Sequence, residues 1–244
     1  MSSMRYEQAL HVLEEAARRR IGNVVLGGGE PFTWRPDAMR LAREAKRRGF
    51  LVQMGTNGVA LPTDYERADA VDRYVLPLDA ATASAHDALR HYPGGHHRVI
   101  VERLARLRDA GKPVTVSTVV TALNHGELET LAAFLNAYVR QGGRLHAWHL
   151  YRFLPQGRGG ARNAPRLRVG EATYEAACAR AKAAVKGYAV FKRKDMQHSR
   201  TVDFFWHEGD RLCIGSECWR KDSASDPGRI QFPETLALAS SSTS

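Results

Sequence analysis

Short apolar runs rich in β-branched residues alternate with amphipathic helical stretches along most of this chain. That alternation is what most constrains the fold. Asn23-Val24-Val25-Leu26, Leu51-Val52-Gln53-Met54, Tyr74–Leu78, Val114–Val120, Leu145–Phe153 and Tyr188–Phe191 read as buried strands. Between them lie helical patterns near residues 36–48, 82–90, 98–110, 126–141 and 171–186, and a short one near 64–70. Tyr6, Ala9, Leu10, Leu13 and Ala17 give a further helix over 5–20, ahead of the first strand. Strands separated by helices pair in parallel through right-handed crossovers. Five or six such units fit a partial (β/α) barrel better than a doubly wound sheet, and in both the ligand sits beyond the carboxyl ends of the strands.

The order helix-then-strand leaves the first crossover without a strand to feed it, so the barrel is expected to lack its first strand. The unpaired edge at Val24 and Val25 then invites a second copy or the chain's own carboxyl-terminal segment. Residues 1–165 are expected to form the barrel core with a cofactor pocket. Residues 166–236 would add a last helix–strand unit and a small β extension, in which Val202–Trp206 and Arg211–Ile214 pair across Glu208-Gly209-Asp210. Residues 237–244, mostly small or polar, are expected to be disordered.

Composition narrows the partners. The 244 residues contain no apolar run long enough for a membrane span and no apolar segment behind Met1, so no membrane and no secretory leader are expected. Three cysteines, Cys178, Cys213 and Cys218, suit a reducing cytoplasm, and Cys213 and Cys218 read as two ordinary thiols. The net charge of +10 would suit nucleic acid, but the arginines fall mainly on predicted helices without interleaved aromatics, which reads as a solvated surface. His91, His96 and His97 with His146 or His149 would suit a metal, yet the adjacent pair is hard to aim at one site. A solvated loop at 91–97 is the expectation, with no metal ligand assigned.

The strand ends carry the chemistry. Gly27-Gly28-Gly29-Glu30-Pro31-Phe32 removes side-chain bulk beside a carboxylate, a cradle for an ammonium group. This run resembles the glycine-glycine-glutamate motif of the radical S-adenosylmethionine (SAM) superfamily. Thr56-Asn57-Gly58, Leu76-Pro77-Leu78-Asp79-Ala80, Val119-Val120-Thr121-Ala122-Leu123-Asn124 and Tyr151-Arg152-Phe153-Leu154-Pro155 resemble its later strand ends, in order. The resemblance covers about residues 5–160. It implies that Gly27, Gly28, Gly29 and Glu30 hold the methionyl ammonium of SAM or a SAM-derived nucleoside. It places Thr56 and Asn57 near the methionyl and ribose groups, Asp79 and Asn124 against ribose or substrate, and Leu154 on the adenine.

His149 and Tyr151 share a strand face at the barrel mouth. With Arg152 and Arg158, in a glycine-rich loop at 157–162 expected to be mobile, they would meet a small, anionic substrate. The superfamily's Cys-x3-Cys-x2-Cys loop, which ligates a [4Fe–4S] cluster, is not found in the sequence. The leading expectation is therefore a cluster-less protein that binds SAM and does non-radical chemistry. Two alternatives stand beside it: a genuine radical enzyme with a truncated or mis-started amino terminus, and a non-catalytic binding partner of a sister enzyme.

Overall fold

A computed structural model describes residues 3–90, 92–155, 157–194 and 202–222. His91 and residues 237–244 lie outside them. Six parallel strands run in sequential order: β1 (Asn23–Leu26), β2 (Leu51–Gly55), β3 (Arg73–Pro77), β4 (Val114–Val120), β5 (Leu145–Arg152) and β6 (Ala189–Arg193). They form a curled half-barrel. One face of the sheet is packed under helices α1 (Tyr6–Arg18), α2 (Ala38–Arg47), α4 (His96–Asp109), α5 (Leu128–Arg140) and α7 (Glu171–Ala184), whose apolar residues join the core, while α3 (Ala83–Asp87) and α6 (Gly157–Leu167) follow the ends of β3 and β5.

The two-residue period of the strands decides what faces where. Val52, Met54, Tyr74, Leu76, Val114, Val116, Trp148 and Leu150 are buried in the helix-covered core. Their neighbours Val25, Gln53, Val75, Ser117, Val119, His149, Tyr151 and Phe191 take the opposite, concave face and are exposed or half-buried. Leu128, Leu131, Leu135 and Tyr138, spaced as one helical stripe, are all buried on α5.

Local chemistry moved several boundaries. Helix α2 begins at Ala38 and not at Pro36, because Asp37 caps it: its Oδ1 accepts from the amides of Met39 at 2.8 Å and Arg40 at 3.1 Å. Residues 64–70 hold only a short 3-10 turn at Tyr65–Arg67.

The glycine-rich stretch at 157–162 is the first turn and a half of α6, not an open loop. Tertiary contacts override its weak helix propensity. The Ala122 amide donates to the Leu167 carbonyl at 3.1 Å, and Arg166 Nη2 donates to the Ala88 carbonyl at 2.7 Å. Gly160 lies so close to the chain that a Cβ there would stand 3.1 Å from the Leu154 carbonyl oxygen. The expected solvated loop at 91–97 is also corrected at its end: His96 and His97 open α4, and His96 is buried.

Beyond the half-barrel, β7 (Phe205–Glu208) and β8 (Arg211–Ile214) form an antiparallel hairpin, followed by α8 (Gly215–Asp222). The hairpin docks on α1: Gln8 Nε2 donates to the Gly209 carbonyl at 2.7 Å, and Arg5 meets Asp210 at 2.6 Å. It does not extend the six-stranded sheet. Among the described residues β1 pairs only with β2, and Val25 is 56% exposed.

Candidate functional site

The carboxyl ends of β1 and β2 meet at Glu30. Three exposed glycines, Gly27–Gly29, leave β1. Gly28 has φ +103°, a conformation that L side chains rarely adopt. A Cβ built on Gly28 or Gly29 would meet nothing within 4 Å, so the space before them is open. Glu30 then begins a short 3-10 turn, Pro31–Thr33, accepting from the Phe32 amide at 3.3 Å.

Its carboxylate reaches across to the end of β2. Thr56 Oγ1 donates to Oε1 at 2.7 Å, and the Asn57 amide donates to Oε2 at 2.7 Å. Gly58 closes this turn with φ +78°, where any Cβ would lie 2.8 Å from Ile100 Cδ1. A carboxylate oxygen has two acceptor sites, so Oε2 keeps one for a further donor. A fixed carboxylate beside side-chain-free backbone suits an ammonium group. These residues fit the aminoacyl end of SAM.

Asp79 and Asn124 are buried and engaged with the protein itself. Asp79 Oδ2 pairs with Arg90 Nε at 2.6 Å, and Oδ1 accepts from the Val119 amide at 2.8 Å. Asn124 Nδ2 donates to the carbonyls of Asp79 at 2.8 Å and Val119 at 2.9 Å, while its Oδ1 accepts from the Thr121 amide at 2.7 Å. Together they tie the end of β3 to the end of β4.

Sequence reasoning missed the groups that link β3 to β2. The Asp79 amide donates to His86 Nδ1 at 3.0 Å. His86 Nε2 and His96 Nδ1 are 2.8 Å apart, and His96 Nε2 is 2.8 Å from the Asn57 carbonyl oxygen. His97, its neighbour in sequence, turns away to the Ala81 carbonyl at 2.9 Å. No periodicity signals such a pair, because ten residues and a loop separate the two rings.

On the concave face, His149 Nδ1 lies 3.3 Å from the Tyr151 hydroxyl, and the Phe191 ring packs edge-on to His149 at 5.4 Å between centroids. Arg152, on the opposite face of β5, lies 3.5 Å from Glu171 at the start of α7, and Leu154 is half-buried. Arg158 lies on α6, its side chain outside the described residues.

Burial pushes His86 and His149 down from 6.5 to about 4, with Arg90 and its histidine neighbours adding at His86, and Arg193 adding at His149. Burial lowers His96 as well. Between pH 6.5 and 4 the unfolded chain therefore binds protons that the folded chain refuses, so acidification destabilises the fold across that window. The urea midpoint is expected to fall measurably from pH 7 to pH 5.5, above the range in which the paired carboxylates protonate. A flat midpoint would mean that these rings titrate as freely in the fold as outside it.

The cysteines do not form a cluster site. Burial raises the Cys178 thiol, inside α7, to about 11. Cys213 is buried in the hairpin with its thiol also raised, and Cys218 is on α8. Among the described residues no group of three or more His, Cys, Asp or Glu is placed to hold a metal ion.

Comparison with known proteins gives the context. The family model described as Radical SAM superfamily matches residues 1–135. An AdoMet-dependent heme synthase of Methanosarcina barkeri is 33% identical over 159 residues, 63% of this chain and 43% of that protein. The mycofactocin maturase MftC of Mycobacterium ulcerans is 34% identical over 157 residues, 62% of this chain and 40% of that protein. The chain thus matches about two fifths of the length of these curated relatives.

Streptococcus suis SuiB, solved with SAM bound, shares the fold at TM-score 0.61 and 12% identity, over 80% of this chain and 45% of that one. SuiB has also been solved bound to its precursor peptide SuiA, with TM-score 0.56, 12% identity and coverage of 78% and 43%. These matches overturn the leading expectation of cluster-less, non-radical chemistry: the family model is that of the radical SAM superfamily, the relatives are named an AdoMet-dependent synthase and a maturase, and together they favour the alternative of a genuine radical enzyme. The expectation of no [4Fe–4S] cluster loses its support with it.

Proposed function

This chain belongs to the radical SAM superfamily, and we propose that it is the SAM-binding half-barrel of a radical enzyme that modifies a peptide. The observation that carries this reading is the Glu30 carboxylate, fixed at 2.7 Å by both Thr56 and Asn57 beside three exposed glycines. In this reading Glu30 and the Gly27–Gly29 backbone bind and orient the methionyl ammonium. Asn57 and Leu154 border the ribose and adenine. Asp79 and Asn124 hold the strand ends at the right separation and do not touch the ligand. When bound, SAM would supply hydrogen abstraction, one of its carbon–sulfur bonds being cleaved to a carbon radical and a thioether on uptake of one electron from a [4Fe–4S] cluster. The superfamily usually carries a [4Fe–4S] cluster, and among the described residues no three groups that could ligate one stand together.

A peptide is the proposed substrate because one relative is named a maturase and SuiB binds a precursor peptide. The concave face would receive it. His149, Tyr151 and Phe191 offer an aromatic wall with hydrogen-bonding groups.

Gly29→Val tests the cofactor pocket. Gly29 has no positive φ and an open Cβ position, so the variant is expected to fold as the native chain does. Gly28→Val is the poorer probe, because at φ +103° it strains the backbone as well as filling the space. Calorimetry with SAM should show binding by the native chain and its loss in Gly29→Val. Equal affinity in the two would remove the ligand from this strand end.

A further inference from the structure

We propose that His86 and His96 are positioning residues for the SAM-binding carboxylate, acting through a one-way chain of hydrogen bonds that ends on Glu30. The proposal rests on the reading that Glu30 receives the SAM ammonium. Only one arrangement of protons satisfies the contacts. The Asp79 amide can only donate, so His86 Nδ1 accepts at 3.0 Å and its proton sits on Nε2. That proton faces His96 Nδ1 at 2.8 Å, which must accept, leaving the His96 proton on Nε2. Nε2 then donates to the Asn57 carbonyl at 2.8 Å, which can only accept.

The other end of that same peptide group continues the chain. The Gly58 amide donates to Thr56 Oγ1 at 3.0 Å, and Thr56 Oγ1 donates to Glu30 Oε1 at 2.7 Å. Every donor points from the end of β3 towards the carboxylate, and such chains polarise one another in a low-dielectric interior. Asn57 is held from both sides, its amide by Glu30 and its carbonyl by His96. His86 and His96 are both buried, at 0% and 3% exposure, so water cannot replace a lost link cheaply. A second proton on either ring would set donor against donor and reverse a link.

Imidazole nitrogen NMR on the full chain, together with calorimetry, tests this. At pH 7 both rings are expected to be neutral with the proton on Nε2. His96→Leu removes both links and should weaken SAM binding about tenfold, the size of one buried hydrogen bond. It should also speed exchange of the Gly58 amide about tenfold. His96→Gln keeps an acceptor for His86 and a donor for Asn57, so it should restore both readouts to within about threefold of the native chain. A variant that only loosens packing would not be rescued in this way.

A proton on Nδ1 of either ring, equal losses in Leu and Gln, or no loss in Leu would each overturn the proposal. Failure of His96→Leu to fold would leave the native tautomers to decide. If the native chain binds no SAM, the parent reading falls. The relay is then judged by the tautomers and by Gly58 exchange, which need no ligand.

Discussion

Glu30→Gln is expected to weaken SAM binding about tenfold to a hundredfold, the loss of one charge-assisted hydrogen bond of roughly 1.5–3 kcal/mol. The amide removes the charge that an ammonium needs. Its oxygen can still accept from the Asn57 amide while its NH2 donates to the Thr56 hydroxyl, which accepts as well as donates, so the loss reads the missing charge rather than a broken turn. Calorimetry with SAM reads the loss directly, and far-UV circular dichroism checks that the strands persist. A Gln variant that binds within twofold of the native chain would reduce Glu30 to a fastener between the ends of β1 and β2.

Asp79→Ala separates a clamp from a ligand contact. The carboxylate is nearly inaccessible and serves Arg90 and the Val119 amide. Removing it leaves a buried amide without an acceptor and a half-buried guanidinium without its charge partner. A loss of about 3 kcal/mol is expected. For a chain of this length that lowers the thermal midpoint by roughly 6–12 °C. SAM affinity, measured well below the new midpoint, should fall much less than in Glu30→Gln. The reverse pattern, full stability with collapsed affinity, would make Asp79 a ligand contact and undo its assignment as the tie between β3 and β4.

The strands were legible because their signal is local. Val114–Val120 is β-branched along most of its length, and it forms β4 over those same residues. Asn23–Leu26 is likewise β1 as read. The strand-end runs at Gly27–Glu30 and Thr56–Gly58 stood out because glycine and small polar residues cluster where a backbone must turn close to a ligand or to itself. Their convergence followed from parallel order alone, since every strand end then lies on one side of the sheet. The function was misjudged for a related reason. It was inferred from a cysteine motif not found in the sequence, whereas the family match rests on the residues that are present.

Residue identity and spacing determined where β1 to β6 lie, which face of α5 is apolar, and that a carboxylate stands beside three glycines at a strand end. Only the tertiary structure decided what each polar group touches. Asn124 looked like a ligand contact and is consumed by Thr121, Val119 and Asp79. Gly157–Arg162 looked like a loop and is helical, because Leu167 and Arg166 are fastened to residues 122 and 88. His86 gave no signal and His96 was weighed only as a metal ligand or part of a solvated loop, yet the two join the ends of β2 and β3. The physical reason is the range of the forces. Propensity and periodicity act within a few residues of chain, whereas a hydrogen bond forms between whatever donor and acceptor the fold brings within about 3 Å.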